Sequence, residues 1–329
     1  MQPITASIPG PAPVLTVMVL VPLAGALLLW FVPPLRGLAR GVGLVFSLGA
    51  LGVGIWAMAL FDPGSGGTVQ LAETRPWIPT LGISWALGVN ALGLAMLLLA
   101  AFLVPLVLLA GWGEIPAEHQ ALFTALVLAL EAFVVVIFSA RDVFLFYVCF
   151  EAMLVPVYVL IGRFGGPDRQ RAALKFLLYS LAGGLVMLVG VVALFFYGPR
   201  TETGYLIGSL AGSLSAPPAA ARWIFASFMI AFAIKAPLVP LHTWLPDAAE
   251  QATPGTSVLL IGVLDKIGTY GMIALVLPLF PEAAAWAAPV VLVLAVVGII
   301  YGGLAAIGQD SLYRLISYTS ISHFGFMVL

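Results

Sequence analysis

Nine apolar runs, at about 14–33, 42–61, 88–110, 121–139, 143–161, 172–197, 222–245, 256–279 and 288–307, take up most of the 329 residues. Each is long enough for an α-helix to cross roughly 30 Å of hydrocarbon, where every backbone N–H and C=O must be satisfied inside the chain. None shows the alternation of a barrel strand. The composition agrees, with 8% charged residues against about 25% in soluble domains. The sequence therefore predicts an all-α integral membrane protein, a multi-span helical bundle. A tenth run opens near Leu312 and supplies only about a dozen apolar residues before Leu329, shorter than a span needs, so the sequence reads as C-terminally truncated or as a fragment of a longer gene. Its uncharged, proline-containing start lacks the basic n-region of a cleaved signal peptide. The long loops at 62–87 and 198–221, rich in Gly, Pro, Ser and Thr, read as connections.

Basic residues near the span ends set an orientation. Arg36, Arg40, Arg163, Arg169, Arg171, Lys175 and Arg314 fall on one side, and Arg75, Arg141, Arg200 and Arg222 on the other. This bias predicts an external N-terminus.

Much chemistry is excluded. The single cysteine, Cys149, rules out an internal disulfide, a thiolate-held iron–sulfur cluster and a cysteine zinc site. His119, His242 and His323 lack haem or metal spacing, and no glycine motif joins a strand to a helix as nucleotide binding requires. No cofactor, metal or nucleic acid is expected on this chain. Any redox chemistry belongs to a partner.

The informative residues are charges where lipid should be: Glu131, Glu151, Lys235 and Lys266, the last preceded by Asp265. Glu151 is nine residues past Asp142 and twelve before Arg163, so it lies roughly 13 Å from the nearer flank, beyond easy snorkelling. Each such charge costs roughly 2.5–3.5 kcal/mol to insert. Two readings stay open, a static ion pair locking helices together or a chain of protonatable groups. Several acids and bases on consecutive spans favour the chain. If Glu151 and Lys235 approach to about 6.5 Å, an effective dielectric of about 20 gives about 2.5 kcal/mol, or roughly two pKa units. That is comparable with the roughly 2.3 kcal/mol per charge per 100 mV a pump works against.

Prolines support the chain. Pro156 removes the backbone bond to the Ala152 carbonyl, and Pro237, Pro240 and Pro246 exclude a continuous helix through 222–247. A discontinuous transmembrane helix is a recurrent ion-site device in transporters. His242 is either a relay or a loop histidine bonded to backbone. His323 belongs to a run whose Ser317, Tyr318, Thr319, Ser320 and Ser322 make one face polar, suited to a water wire or to helix packing. Glu114, Glu118 and His119 read as a solvated loop, and Trp223, Trp244 and Trp286 as interfacial anchors.

Four segments carry a resemblance: Phe150-Glu151-Ala152-Met153-Leu154-Val155-Pro156; the run from Ile234-Lys235-Ala236-Pro237 through His242-Thr243-Trp244-Leu245-Pro246-Asp247-Ala248; Asp265-Lys266-Ile267-Gly268-Thr269-Tyr270-Gly271; and Tyr318-Thr319-Ser320-Ile321-Ser322-His323-Phe324-Gly325. Together they resemble the antiporter-like, proton-translocating membrane subunits of respiratory complex I. The resemblance runs from about residue 85 to the end. It implies that Glu151 and Lys235 form a proton-channel pair, that Lys266 links this half-channel to a central hydrophilic axis, and that His242 and His323 relay. Glu131 occupies a span where some members also carry an acid. It further implies two inverted five-helix repeats, each with a broken helix, this chain ending just inside the second. The chain then divides into N-terminal membrane helices (1–113), a repeat with the half-channel (114–282) and the start of a truncated repeat (283–329).

By the same resemblance NADH, FMN, iron–sulfur clusters and quinone belong to partner subunits. The chain's own partners are the lipid bilayer and other membrane subunits of complex I, including neighbouring antiporter-like ones, in an energy-transducing, bacterial cell membrane. Three positions depart from the family pattern: Tyr313 stands where a basic residue often precedes the matched Arg314, Ala274 where an arginine is common, and Asp265 where an apolar residue is commoner. A subunit of a multisubunit cation/proton antiporter, a hydrogenase-linked membrane arm and a non-pumping scaffold fragment are the alternatives.

Overall fold

Prolines and short polar side chains mark where helices start. Asn90 and Asp142 accept hydrogen bonds from the first turns of the helices they precede, and Pro218, Pro254 and Pro281 open helices where a missing N–H costs nothing. A computed structural model describes residues 7–329. Contacts divide the chain into a first unit, residues up to Val157 plus Pro199–Gly212, and a second, Tyr158–Gly198 plus Ser213–Leu329. Among the described residues nine helical stretches are long and apolar enough to cross a membrane.

In the first unit, β1 (Ser7–Pro9) precedes α1 (Val14–Phe31) and α2 (Ala39–Leu60). A hairpin of β2 (Val69–Ile78) and β3 (Ile83–Val89) leads to α3 (Ala91–Ala110), α4 (Ala117–Ser139) and α5 (Val143–Ala152). Lipid supplies little hydrophobic drive between helices, so small residues set close approach. A Cβ on Gly25 of α1 would sit 2.6 Å from Phe46 of α2 and 2.9 Å from Leu128 of α4.

The segment 62–87, expected to be a connection, carries most of this hairpin, and β1 pairs parallel to β2. Pro76 inside β2 and the turn at Pro79 and Gly82 blur the strand signal, but Gly82 supplies the positive φ of the turn and Trp85 pairs with Arg75. The hairpin also caps α1 and holds the cap of α5. Glu73 accepts from Leu15 N (2.8 Å), Thr16 N (3.2 Å) and Thr16 Oγ1 (2.5 Å) at the start of α1. Ser84 N donates to Asp142 Oδ2 at 2.9 Å, while Asp142 Oδ1 accepts from Phe144 N and Leu145 N at the start of α5.

Met153 separates α5 from α6 (Leu154–Phe164), one turn before the carbonyl bond that Pro156 removes would have closed. The second unit continues with α7 (Arg169–Tyr197), the first unit reclaims α8 (Ile207–Ser213), and α9 (Pro218–Lys235) returns to the second. Then come α10 (Trp244–Gln251), α11 (Pro254–Leu259), a π-helical turn Leu260–Leu264, α12 (Lys266–Gly271), a second π turn Met272–Val276, α13 (Leu277–Leu279), α14 (Pro281–Ile307) and α15 (Leu312–Val328). Gly183 and Gly190 let α7 close on α9; Gly302 and Gly325 do the same for α14 and α15.

Candidate ion-translocation site

The span expected over 222–245 stops being helical at Lys235. Pro237 has no N–H for the Ala233 carbonyl, so Leu238 N takes it instead at 2.9 Å. That slip frees the Ile234 carbonyl, which accepts from the buried Trp244 indole at 2.9 Å. Trp244 is therefore not an interfacial anchor: it is fully buried because its N–H repairs the broken backbone. Trp223 and Trp286 are exposed, and Arg222 lies over the Trp286 ring at 4.9 Å. Pro240 sits inside the irregular stretch and Pro246 in the first turn of α10.

Lys235 is 1% exposed at the C-terminal end of α9, the end of the helix dipole that favours a cation. Its Nζ lies 5.1 Å from the centroid of Phe176, and Phe176 packs on Trp244 with 5.3 Å between ring centroids. α12 comes close because Gly268 has no side chain: a Cβ there would meet Ala236 N at 2.5 Å. This approach places Asp265 where both Lys235 and Lys266 act on it electrostatically. Asp265 is 0% exposed, and neither carboxyl oxygen has a hydrogen-bond partner among the described residues. The π turn before it leaves the Ile261 carbonyl to accept from half-buried Lys266 Nζ at 3.3 Å. Lys235, Asp265 and Lys266 thus form one cluster.

His242 is buried in the irregular stretch, edge-on to Tyr301 of α14 at 4.9 Å and to Tyr318 of α15 at 6.5 Å. Neither ring nitrogen has a hydrogen-bond partner among the described residues. His323 is not brought to it. That side chain is exposed on α15, along a groove of about 330 Å³ with Thr319 and Ser322. In the first unit, Glu131 is 1% exposed on α4 with both oxygens lacking partners among the described residues. Glu151 is half-buried in the last turn of α5 and interacts electrostatically with Tyr147 one turn earlier.

Sequence reasoning missed the aromatic contact of Phe176 with Lys235 and the pairing of Lys175 and Arg314 with Asp247. Lys175 counted only towards orientation and Arg314 only towards orientation and the family pattern, and partners about seventy positions away leave no local signal. Among the described residues no three side chains of His, Cys, Asp or Glu converge as metal ligands.

The fold and site define a class of multi-span helical membrane protein in which one span is interrupted beside a buried cation, with an acid and a second cation against it. Residues 140–329 match the transmembrane model of the NADH:quinone oxidoreductase/Mrp antiporter family, and the chain belongs to that family. It is 44% identical to NADH-quinone oxidoreductase subunit M of Mycobacterium tuberculosis over 96% of this chain and 64% of that one. Respiratory complex I from Thermus thermophilus with bound NADH contains a similar chain, with 32% identity, a TM-score of 0.80, and coverage of 94% of this chain and 63% of that one. A chain of the Mrp complex from Dietzia sp. DQ12-45-1b shares the fold, with 21% identity, a TM-score of 0.81 and coverage of 95% and 33%. The chain spans less than two thirds of the length of these relatives.

Proposed function

We propose that the chain is a proton-translocating membrane subunit of an NADH:quinone oxidoreductase, of the subunit M type and the counterpart of mitochondrial subunit 4. Quinone reduction, driven by NADH through FMN and iron–sulfur clusters in partner subunits, is coupled to proton transfer through it. The observation that carries this reading is Lys235, a buried cation at the end of a helix broken inside an apolar run, with Asp265 and Lys266 acting beside it. A proton arriving on Asp265 changes the potential at both lysines. Glu151 and Lys235 are the channel pair, Lys266 and Asp265 carry the proton onward, and Glu131, His242 and His323 are accessory relays. The partition into 1–113, 114–282 and 283–329 belongs to the same reading, as do neighbouring antiporter-like partners and an external N-terminus in a bacterial cell membrane.

The test is Lys235→Ala in the assembled complex, reconstituted in vesicles with a pH-sensitive dye and with a sodium tracer in parallel. Proton uptake should fall to the level of vesicles without complex. An assembled variant that pumps at the normal rate would refute the reading, and sodium movement that replaces proton movement would transfer the chain to the antiporters.

A further inference from the structure

α10 is only eight residues long and follows irregular backbone, and a helix that short does not hold itself in place. It is held by side chains from elements around it. Lys175 Nζ of α7 donates to Asp247 Oδ2 at 2.6 Å and to the Thr243 carbonyl at 2.7 Å, and Tyr179 OH is 2.9 Å from Thr243 Oγ1. Arg314 Nη1 of α15 donates to Asp247 Oδ1 at 3.1 Å and to Glu250 Oε2 at 3.0 Å. Where α6 turns into α7, Gly166 N donates to the Gln251 carbonyl and Asp168 N to Gln251 Oε1. Asp168, Lys175, Asp247, Glu250, Gln251 and Arg314 border a cleft of about 220 Å³.

What α10 carries makes its position matter. Trp244 in its first turn bonds the carbonyl next to Lys235 and packs on the ring under the lysine ammonium. His242 lies two residues upstream, and the charge of Lys175 reaches it. Lys175 also holds two acceptors at once, one on α10 and one in the irregular stretch, so it can keep one while releasing the other.

We propose that Lys175 and Arg314, sharing the Asp247 carboxylate, are positioning residues of the proton path: an ionic latch on α10 that sets the geometry of the break at Lys235. The inference rests on the proposed proton translocation.

The experiment uses the assembled complex with Lys175→Met, Arg314→Gln and Lys175→Arg. It reads hydrogen–deuterium exchange of residues 236–251 and, separately, protons moved per quinone reduced. Lys175→Met and Arg314→Gln should speed exchange across 236–251 by about tenfold and reduce the proton ratio to about half or less. Lys175→Arg keeps the charge but not the ammonium's geometry, so both readouts should fall between those of the unmodified complex and Lys175→Met. If Arg314→Gln prevents assembly, Glu250→Gln loosens one arm of the latch and should give a smaller rise in exchange. Unchanged exchange overturns the latch. Faster exchange with an unchanged proton ratio reduces it to a structural clamp and overturns the positioning role. Lys235→Ala on the same preparation tells these outcomes from a failure of the underlying function: a normal proton ratio there removes the proton path but leaves the exchange result standing.

Discussion

Asp142 in the first unit and Asp265 in the second are both 0% exposed, yet their surroundings are opposite. Asp142 accepts three backbone N–H groups and starts a helix, whereas Asp265 has no hydrogen bond to either oxygen among the described residues and faces two lysines. A carboxyl saturated by amides is a structural part, since moving its proton disturbs three bonds. Asp265 has no such bonds to lose, which suits the proton exchange proposed for it. Burial alone therefore does not distinguish the two carboxyls; hydrogen-bond saturation does.

The largest expected break in that contrast is Asp142→Ala, which removes a cap and strands three amides, for a loss of about 3 kcal/mol. It should show as a lower melting temperature or failed assembly. Asp265→Asn keeps the shape, so stability should stay within about 1 kcal/mol while proton translocation falls at least about tenfold. If both variants damage stability equally, the contrast collapses.

A subtler test uses pH. Burial pushes the Asp142 carboxyl up to about 6, against the pull of Leu145, Ser84 and Phe144 N–H in the other direction. A folded-state value above the unfolded one contributes stability that is complete below about pH 4 and is withdrawn as pH rises through about 6. The protein should lose about 1 kcal/mol between roughly pH 5 and pH 7 from this group, and Asp142→Asn should flatten that part of a melting-temperature profile. Smallest is Glu73→Gln, which keeps an acceptor at the start of α1 but loses the charge at the helix N-terminus, for about 0.5–1 kcal/mol.

The legible part of the fold was what one continuous stretch of sequence determines. Apolar length located the spans, and Pro237 and Pro240 located the break after Lys235, because both effects act within a turn or two. The hairpin at 69–89 was not legible: Pro76 interrupts β2, and its support comes from bonds to the start of α1 and to the Asp142 cap of α5, far along the chain. The π turns flanking α12 carry no composition of their own. Of the site residues, Asp265 stood out as a charge in an apolar run, but only the approach at Gly268 brings it to Lys235. Trp244 looked interfacial because an indole near a span end usually is, and the unpaired Ile234 carbonyl that claims it follows from a slip no propensity encodes.

The interleaving of α7 between the two stretches of the first unit sets an order of manufacture. Arg141 and Val143, at the entrance to α5, exchange backbone hydrogen bonds with Ile207 and Tyr205. Those partners are synthesised only after the 29 residues of α7. A ribosome that has delivered the first five long spans has therefore not yet delivered a finished first unit. Its entrance to α5 gains these two backbone bonds only after another long helix has been made, so the first unit closes late.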